Sequence, residues 1–428
     1  MTALRSLQQL QLCWCNLQGI SSLLQLTRAP QLTSLRLCGI SFTTPKYDSD
    51  STHWDSRNTP ATQAVAAVMP GLLQQLPRLS FLEIPGFPLT DAAMQQMAKM
   101  QDLQDVHMLH GSRILIAVLS LLPSSVAKLQ LQGGIFSDAA ATPNLPPQLQ
   151  QLTALLHLQL CNCEFPPGVL GSVMQLQHLR LAHCNLLPAA VLDELDELEA
   201  EGTAALLNVL PRLARLQHLE LELQQLGTVS IAPERFSALT ASTHLTNLVV
   251  HPAHVTPLPL NAVKHMFPAG RHMPLLHTLH ISPELELHDE ELSCMDSDDL
   301  ASICRSCPAL HQLDISGAVQ PGADLSVLAQ LPDSCASLLL GGAAFTDAAA
   351  SVLVQLTHLY YLCWSQSLGF TDAGLEQLTA LDLGGLYVYD SGLSDAINPG
   401  DPGTLNIQWQ DMVEVSPGLA WCVLLFAI

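Results

Sequence analysis

A short apolar spacing, Leu-x-x-Leu-x-Leu, recurs along almost the whole chain, and no other feature restricts the possible folds as much. It occurs as Leu7-Leu10-Leu12, Leu32-Leu35-Leu37, Leu79-Leu82-Ile84, Leu103-Val106-Met108, Val126-Leu129-Leu131, Leu155-Leu158-Leu160 and Leu176-Leu179-Leu181. It continues as Leu216-Leu219-Leu221, Leu245-Leu248-Val250, Leu276-Leu279-Ile281, Leu310-Leu313-Ile315, Cys335-Leu338-Leu340, Leu359-Leu362-Trp364 and Leu378-Leu381-Leu383. Most steps are roughly 20 to 30 residues, the period of a stacked repeat. A longer phrase also repeats: LPSSVAKLQLQGGIFSDAAA at 122–141 returns as LPDSCASLLLGGAAFTDAAA at 332–351. Each copy supplies one strand and one helix start, and neither buries its apolar side without a neighbour.

Within each unit the Leu-x-Leu portion predicts a short strand, because alternation sends the leucines to one side and the intervening residues to the other. The strands are expected to stack as a parallel sheet. A Thr-Asp or Ser-Asp pair and an alanine-rich run follow several of them, as in LTDAAMQQMAKM from Leu89, FTDAAASVLVQL from Phe345 and FTDAGLEQLTAL from Phe370. That pattern predicts a helix N-terminus, where the hydroxyl satisfies orphan amides and the carboxylate meets the positive end of the dipole. Met94, Met97 and Ala98 are expected on its buried side. Strands on one side and wider helices on the other predict an α/β solenoid curved as a horseshoe, with parallel strands on the concave face and helices and irregular turns on the convex face.

At this level the chain resembles leucine-rich-repeat proteins, in particular the ribonuclease-inhibitor-like and cysteine-containing repeats found in F-box substrate adaptors. CRSCPALHQLDISG at 304–317 carries the likeness: Cys307, Pro308 and Leu310 stand where the family has Cys-Pro-x-Leu ahead of the strand. Thr371, Asp372, Gly374 and Leu375 match its helix start. The family also places Asn or Cys three positions after the last strand leucine. Cys15, Cys163 and Cys184 fit, whereas Phe87, Gly134, Ala253, Glu284, Ala318, Ala343 and Leu386 do not.

The expected organisation is one solenoid over 1–397, with irregular insertions near 43–59, 188–211 and 283–299, and an irregular tail or cap over 398–428 after the breaker NPGDPG. The first insertion leads into a helical stretch ending near Leu76. The second predicts an extra acidic helix with Leu192, Leu195 and Leu198 on one side.

Charge and composition narrow the function classes. No run reaches the eighteen or so apolar residues of a membrane span, and MTALRSLQQLQL is not of secretory type. A cytoplasmic location is expected, with its cysteines free and buried as small hydrophobes. A formal net charge of -22, with only four lysines, disfavours nucleic acid and anionic membrane surfaces and favours a protein partner with a basic face.

Catalytic signatures, phosphate loops and cofactor motifs are not found, so no enzyme activity, cofactor or metal is expected. Cys294, Cys304, Cys307 and His311 have metal-like chemistry, but Cys304 and Cys307 read as core residues ending a repeat helix. DSDSTHWD and DSDD lack the glycine and terminal glutamate of a calcium loop. The histidines are more informative: of 17, His157, His178, His218 and His358 are assigned to one outward strand position, with His107 and His280 further along it. Together with Arg36, Glu83, Arg180, Glu220, Glu222 and Asp314 they form the expected partner-binding site on the concave face. Whether those histidines make contact pH-dependent or are tolerated repeat drift stays open.

The expected function is a non-enzymatic protein-binding scaffold. The resemblance implies an alternative, the substrate-recognition subunit of a Skp1-cullin-F-box ubiquitin ligase, whose F-box would have to lie upstream of Leu7. A structural or assembly part of the ciliary axoneme is the other alternative.

Overall fold

The computed structural model describes residues 5–13, 15–17, 21–38, 41–42, 60–85, 90–109, 119, 121–133, 149–165, 167–186, 195–223, 231–252, 258–259, 261–281, 295–320, 322–341, 345–365, 369–389 and 404–407. They fall into two units, Met1–Met266 and Phe267–Ile428.

The first unit contains β1 (Gln9–Cys13), β2 (Asn16–Leu17), β3 (Ser34–Cys38), β4 (Ser41–Phe42), β5 (Phe81–Pro85), β6 (Asp105–Leu109) and β7 (Lys128–Gln132). It continues with β8 (His157–Cys161), β9 (Glu164–Phe165), β10 (His178–Ala182), β11 (Asn185–Leu186), β12 (His218–Leu223) and β13 (Asn247–Pro252). The longer strands form a parallel ladder in the order β1-β3-β5-β6-β7-β8-β10-β12-β13. The two-residue strands make separate parallel pairs, β2 with β4 and β9 with β11. The second unit stacks β14 (Thr278–Ile281), β15 (Gln312–Asp314), β16 (Ser337–Gly341), β17 (Tyr361–Ser365) and β18 (Gly385–Tyr389) in parallel. There β19 (Thr404–Ile407), from the tail expected to be irregular, pairs antiparallel with β18.

The register follows the leucine frame. Leu35, Leu82, Val106, Leu129, Leu158, Leu179, Leu219 and Leu248 are successive partners, and all but Leu158 are 0% exposed. Leu279, Leu313, Leu338 and Leu362 do the same in the second unit. Each aliphatic side chain therefore packs on its counterpart one rung away, which is how a thin repeat acquires a continuous core. Entry into the sheet is also uniform: one carbonyl ahead of each strand accepts from two successive amides of the next rung. Ala127 O accepts from Leu156 N at 2.8 Å and His157 N at 3.0 Å, and Tyr360 O from Gly384 N at 2.8 Å and Gly385 N at 3.1 Å.

One frame is corrected. The last parallel strand among the described residues is Gly385–Tyr389, with Leu386 paired to Leu362, so the unit there is Leu383-Leu386-Val388 rather than Leu378-Leu381-Leu383. Leu378 instead closes a helix, Asp372–Leu378, and glycines at 384 and 385 weaken the strand signal.

The return side mixes α-helices with 3-10 turns. Helices Pro60–Gln74 and Leu195–Val209 occupy the stretches where extra helix is predicted; 43–59, 188–194 and 283–294 lie outside the described residues. In other rungs 3-10 turns such as Pro167–Ser172 and Pro233–Thr240 take the place of helix. The Thr-Asp starts open Asp91–Met97, Asp347–Leu353 and Asp372–Leu378. The buried side of the first is Ala93, Met94 and Met97, whereas Ala98 is exposed beyond its end.

Thr371 does more than cap its own helix. Its Oγ1 accepts from Ala373 N at 3.3 Å and donates to Asp347 Oδ2 at 2.6 Å, while its amide donates to Asp347 Oδ1 at 2.7 Å. One rung's helix-start carboxylate thus ties down the next rung's cap. Those bonds hold the Asp347 carboxyl below its ordinary range, so their contribution is present above the unfolded carboxyl pKa and is lost as pH falls through the lower folded value. Thr371→Val is expected to destabilise the second unit by about 1 kcal/mol and to raise the Asp347 pKa, measured by denaturant unfolding and carboxyl NMR titration. An unchanged pKa would count against the bridge.

Candidate functional site

Residues between the core leucines project from the sheet face opposite the helices, and the register arranges them in straight rows. One row runs Asp105, Lys128, His157, His178, His218, Asn247. Two residues further along the strands lies Arg36, Glu83, His107, Gln130, Gln159, Arg180, Glu220, Val249. In the second unit the corresponding row holds His280, Asp314, Leu339, Cys363 and Tyr387.

The predicted residues assemble into clusters. Arg36 Nε lies 2.7 Å from Glu83 Oε2, and His107 Nδ1 is 3.6 Å from the same oxygen. His107 Nε2 approaches Asp105 Oδ1 to 2.8 Å without hydrogen-bond alignment, and Lys128 Nζ is 3.6 Å from Asp105 Oδ2. Arg36 also sits 5.3 Å above the Phe81 ring, a cation–π contact. Glu83 and His107 are buried, at 6% and 8% exposure, so they support the face more than they present it.

A second cluster joins Arg180 Nε to Glu220 Oε1 at 2.9 Å, with His218 Nε2 3.7 Å from Glu220 Oε2. Burial pushes the Glu220 carboxyl up, but the neighbouring His218 ring and the Arg180 charge outweigh it and leave the pKa below its ordinary value. Glu222 pairs with the His183 ring. His183 itself lies in the left-handed region at φ 51°, as Gly133 at 77° and Asn162 at 51° do after their strands. This recurrent turn geometry is easy for glycine and, among other residues, is adopted most readily by asparagine, aspartate and histidine.

Between the clusters the imidazoles stack: His157 and His178 have centroids 4.0 Å apart at 16°, and His178 and His218 are 5.7 Å apart at 23°. Burial, then the nearby His157, His218 and Lys128, lower the His178 pKa to about 4. His157 is lowered too, by burial and Lys128 first. In the second unit His280 Nδ1 lies 3.1 Å from Asp314 Oδ2, and Asp314 Oδ1 accepts from Ser316 N at 3.1 Å.

One assignment is corrected: His358 is not in the histidine row. Tyr361 occupies the strand start there, and His358 lies three residues earlier in the turn, 3.9 Å from Asp333. Its neighbour Leu359 is the first leucine of the unit, whereas the leucine after His157 is the second. Lys128, Asp105 and His183 were not singled out from sequence. The first two fall on the frame that selects His157; His183 had no frame because it lies in a turn.

The cysteines behave mainly as core. Cys163 Sγ donates to Cys161 O at 3.3 Å and Leu131 O at 3.7 Å, and Cys184 Sγ to Leu160 O at 3.2 Å and Ala182 O at 3.4 Å. Each thiol thereby ties its turn to the preceding rung. Cys13, by contrast, is disulfide-bonded, against the expectation that every thiol is free. Burial pushes Cys304 up to about 11 and Cys307 up to about 12, as it does for thiols enclosed in an apolar core. His311 Nδ1 lies 2.7 Å from Ala309 O. Among the described residues no three His, Cys, Asp or Glu side chains are placed to hold a metal ion.

No family model matches the chain, and no curated protein matches it either. Similar solved structures include an internalin (inlF) from Listeria monocytogenes str. 4b F2365, at 15% identity and TM-score 0.46 over 89% of this chain and 87% of that one. The functional domain of InlJ from Listeria monocytogenes, described as including a cysteine ladder, is 13% identical with TM-score 0.42 over 89% and 72%. The TLR13-ssRNA13 complex is 16% identical with TM-score 0.49 over 92% of this chain and 48% of that one. The repeat architecture described above rests on the strand register and the leucine core.

Proposed function

We propose that this chain is a non-enzymatic scaffold that binds a protein partner through the open sheet face of its first unit, between β3 and β12. The observation that carries this reading is the ordering of that face. Long polar side chains stand in register on a rigid parallel ladder and are fixed by pairs such as Arg36–Glu83 and Arg180–Glu220, while the core is completed without them. Several adjacent rungs offer the roughly 800 Å² per partner that a stable contact needs. The thiol ladder at Cys163 and Cys184 and the Thr-Asp helix starts support placing its repeats among the cysteine-containing type.

Replacing Arg180 and Glu220 together by alanine removes both members of an ion pair and leaves no orphaned charge. This double variant is expected to weaken capture of a specific partner by about tenfold or more, or roughly 1.4 kcal/mol, in affinity purification followed by binding measurements. Gln95→Glu, on an exposed helix position, should leave capture unchanged. Equal capture by the double variant and the parent would reject this face.

A further inference from the structure

The whole chain is strongly acidic, yet the open face of the first unit reverses that balance at its surface. In every charge pair of its two clusters but one the cation is the more exposed member; the exception is His107, at 10% against 25% for Asp105. Side-chain exposures are 39% for Arg36 against 8% for Glu83, 45% for Lys128 against 25% for Asp105, and 45% for Arg180 against 20% for Glu220. His183 at 40% over Glu222 at 16%, and His218 at 30% over Glu220 at 20%, repeat the order. Short carboxylates sit low between rungs, whereas Lys and Arg stems lift their heads into water. A molecule laid on this face meets ammonium, guanidinium and imidazole groups before it meets carboxylate.

We propose that Lys128, His157, His178 and His218, with Arg180 beside them, form a carboxylate-binding track that takes an acidic segment of the protein partner. The proposal rests on the partner-binding reading of this face and assigns the chemistry of what binds. Four successive strands place the track residues in one line, at a spacing of about 4.8 Å per strand. A Glu- or Asp-rich segment lying across the strands can set carboxylates along that line. The two nearest fixed carboxylates are already engaged, Asp105 by Lys128 and His107, and Glu220 by Arg180 and His218.

Protons couple to such binding. His178 faces His157 and Lys128 on one side, His218 and Glu220 on the other, and Arg180 on its own strand, with Asp105 and His251 further out. Partly desolvated and crowded by these groups, the His178 ring stays neutral in the free protein, and burial and Lys128 bias His157 the same way. An incoming carboxylate favours the charged imidazole, so binding takes up protons. Affinity should therefore rise as pH falls below about 6.5 and decline again once the ligand's own carboxylates protonate near pH 4.

The test uses the full chain and two fluorescein-labelled peptides, one of alternating Glu and Gly and one of alternating Lys and Gly, followed by anisotropy at pH 5.5 and 7.5. The Glu peptide is expected to bind, about tenfold more tightly at pH 5.5, and to shift the His157 and His178 ring resonances toward the protonated form. The triple variant Lys128→Gln, His178→Gln, His218→Gln should lose about tenfold or more of that binding at pH 5.5, with thermal unfolding at pH 7.5 unchanged. Lys128→Gln alone, at an exposed side chain, provides the same readout if the triple variant is unstable. No binding of the Glu peptide, preference for the Lys peptide, or binding indifferent to both variants overturns the track. Partner competition separates the two levels. A captured partner released by Arg180→Ala/Glu220→Ala but not displaced by excess Glu peptide removes the track and keeps the face; one retained by that variant removes the face itself.

Discussion

Replacing Leu219 by alanine is expected to cost the first unit about 3–5 kcal/mol, the largest loss anticipated for a single side chain on this face of the core. Leu219 is 0% exposed and stands between Leu179 and Leu248, both also 0% exposed. The cavity cannot close easily, because the flanking rungs are held at fixed separation by backbone hydrogen bonds, including the paired acceptance of Gln217 N and His218 N by Gln177 O at 2.7 and 2.9 Å. In a repeat array stability is a sum over rungs and the interfaces between them. A defect at β12 therefore weakens its contacts with both β10 and β13. Equilibrium urea unfolding should show an earlier midpoint, and hydrogen exchange should quicken in both flanking strands. A loss below about 1 kcal/mol would mean that this leucine row is not the core it is described as.

The second large effect runs against helix propensity. Gly202 lies inside the helix Leu195–Val209, where alanine would ordinarily gain about 1 kcal/mol over glycine. Here Gly202 is buried against β11, and an added Cβ would overlap the Leu186 carbonyl oxygen and lie 2.7 Å from its carbon and 2.8 Å from Leu186 Cβ. None of those atoms can swing aside, so the helix must retreat from the strand pair or the strand must shift. Gly202→Ala is expected to destabilise by about 2–3 kcal/mol, with a lower melting temperature and loss of hydrogen-exchange protection in β9 and β11. A stabilised variant would show that the close helix–strand approach is not maintained in solution.

The leucine frame was readable wherever aliphatic positions alternate with polar ones, because alternation has one meaning on a pleated strand. It failed at the last rung, where Leu378 and Leu381 imitate the spacing from a helix and the turn after it. The same weakness put His358 one leucine out of place, since a His-Leu pair does not say which leucine of the unit it precedes. The face itself was legible as a set of residues: Arg36, Glu83, His107, His157, His178, Arg180, His218, Glu220 and Glu222 do project from the sheet side opposite the helices. Their pairing was not, because Arg36 and Glu83 meet only through the length of the intervening segment.

By itself the sequence determined the repeat, the inward leucines, the parallel strand stack and most helix starts, since these follow from local periodicity and cap chemistry. Tertiary structure alone decided which charges neutralise each other, that three imidazoles stack at 4.0 and 5.7 Å, and that Glu83, Glu220 and Glu222 sink below their cations on the first unit's open face. The physical reason is that register between distant rungs sets lateral neighbours, and side-chain length then sets who reaches water. Net charge counts every residue equally and carries no information about either.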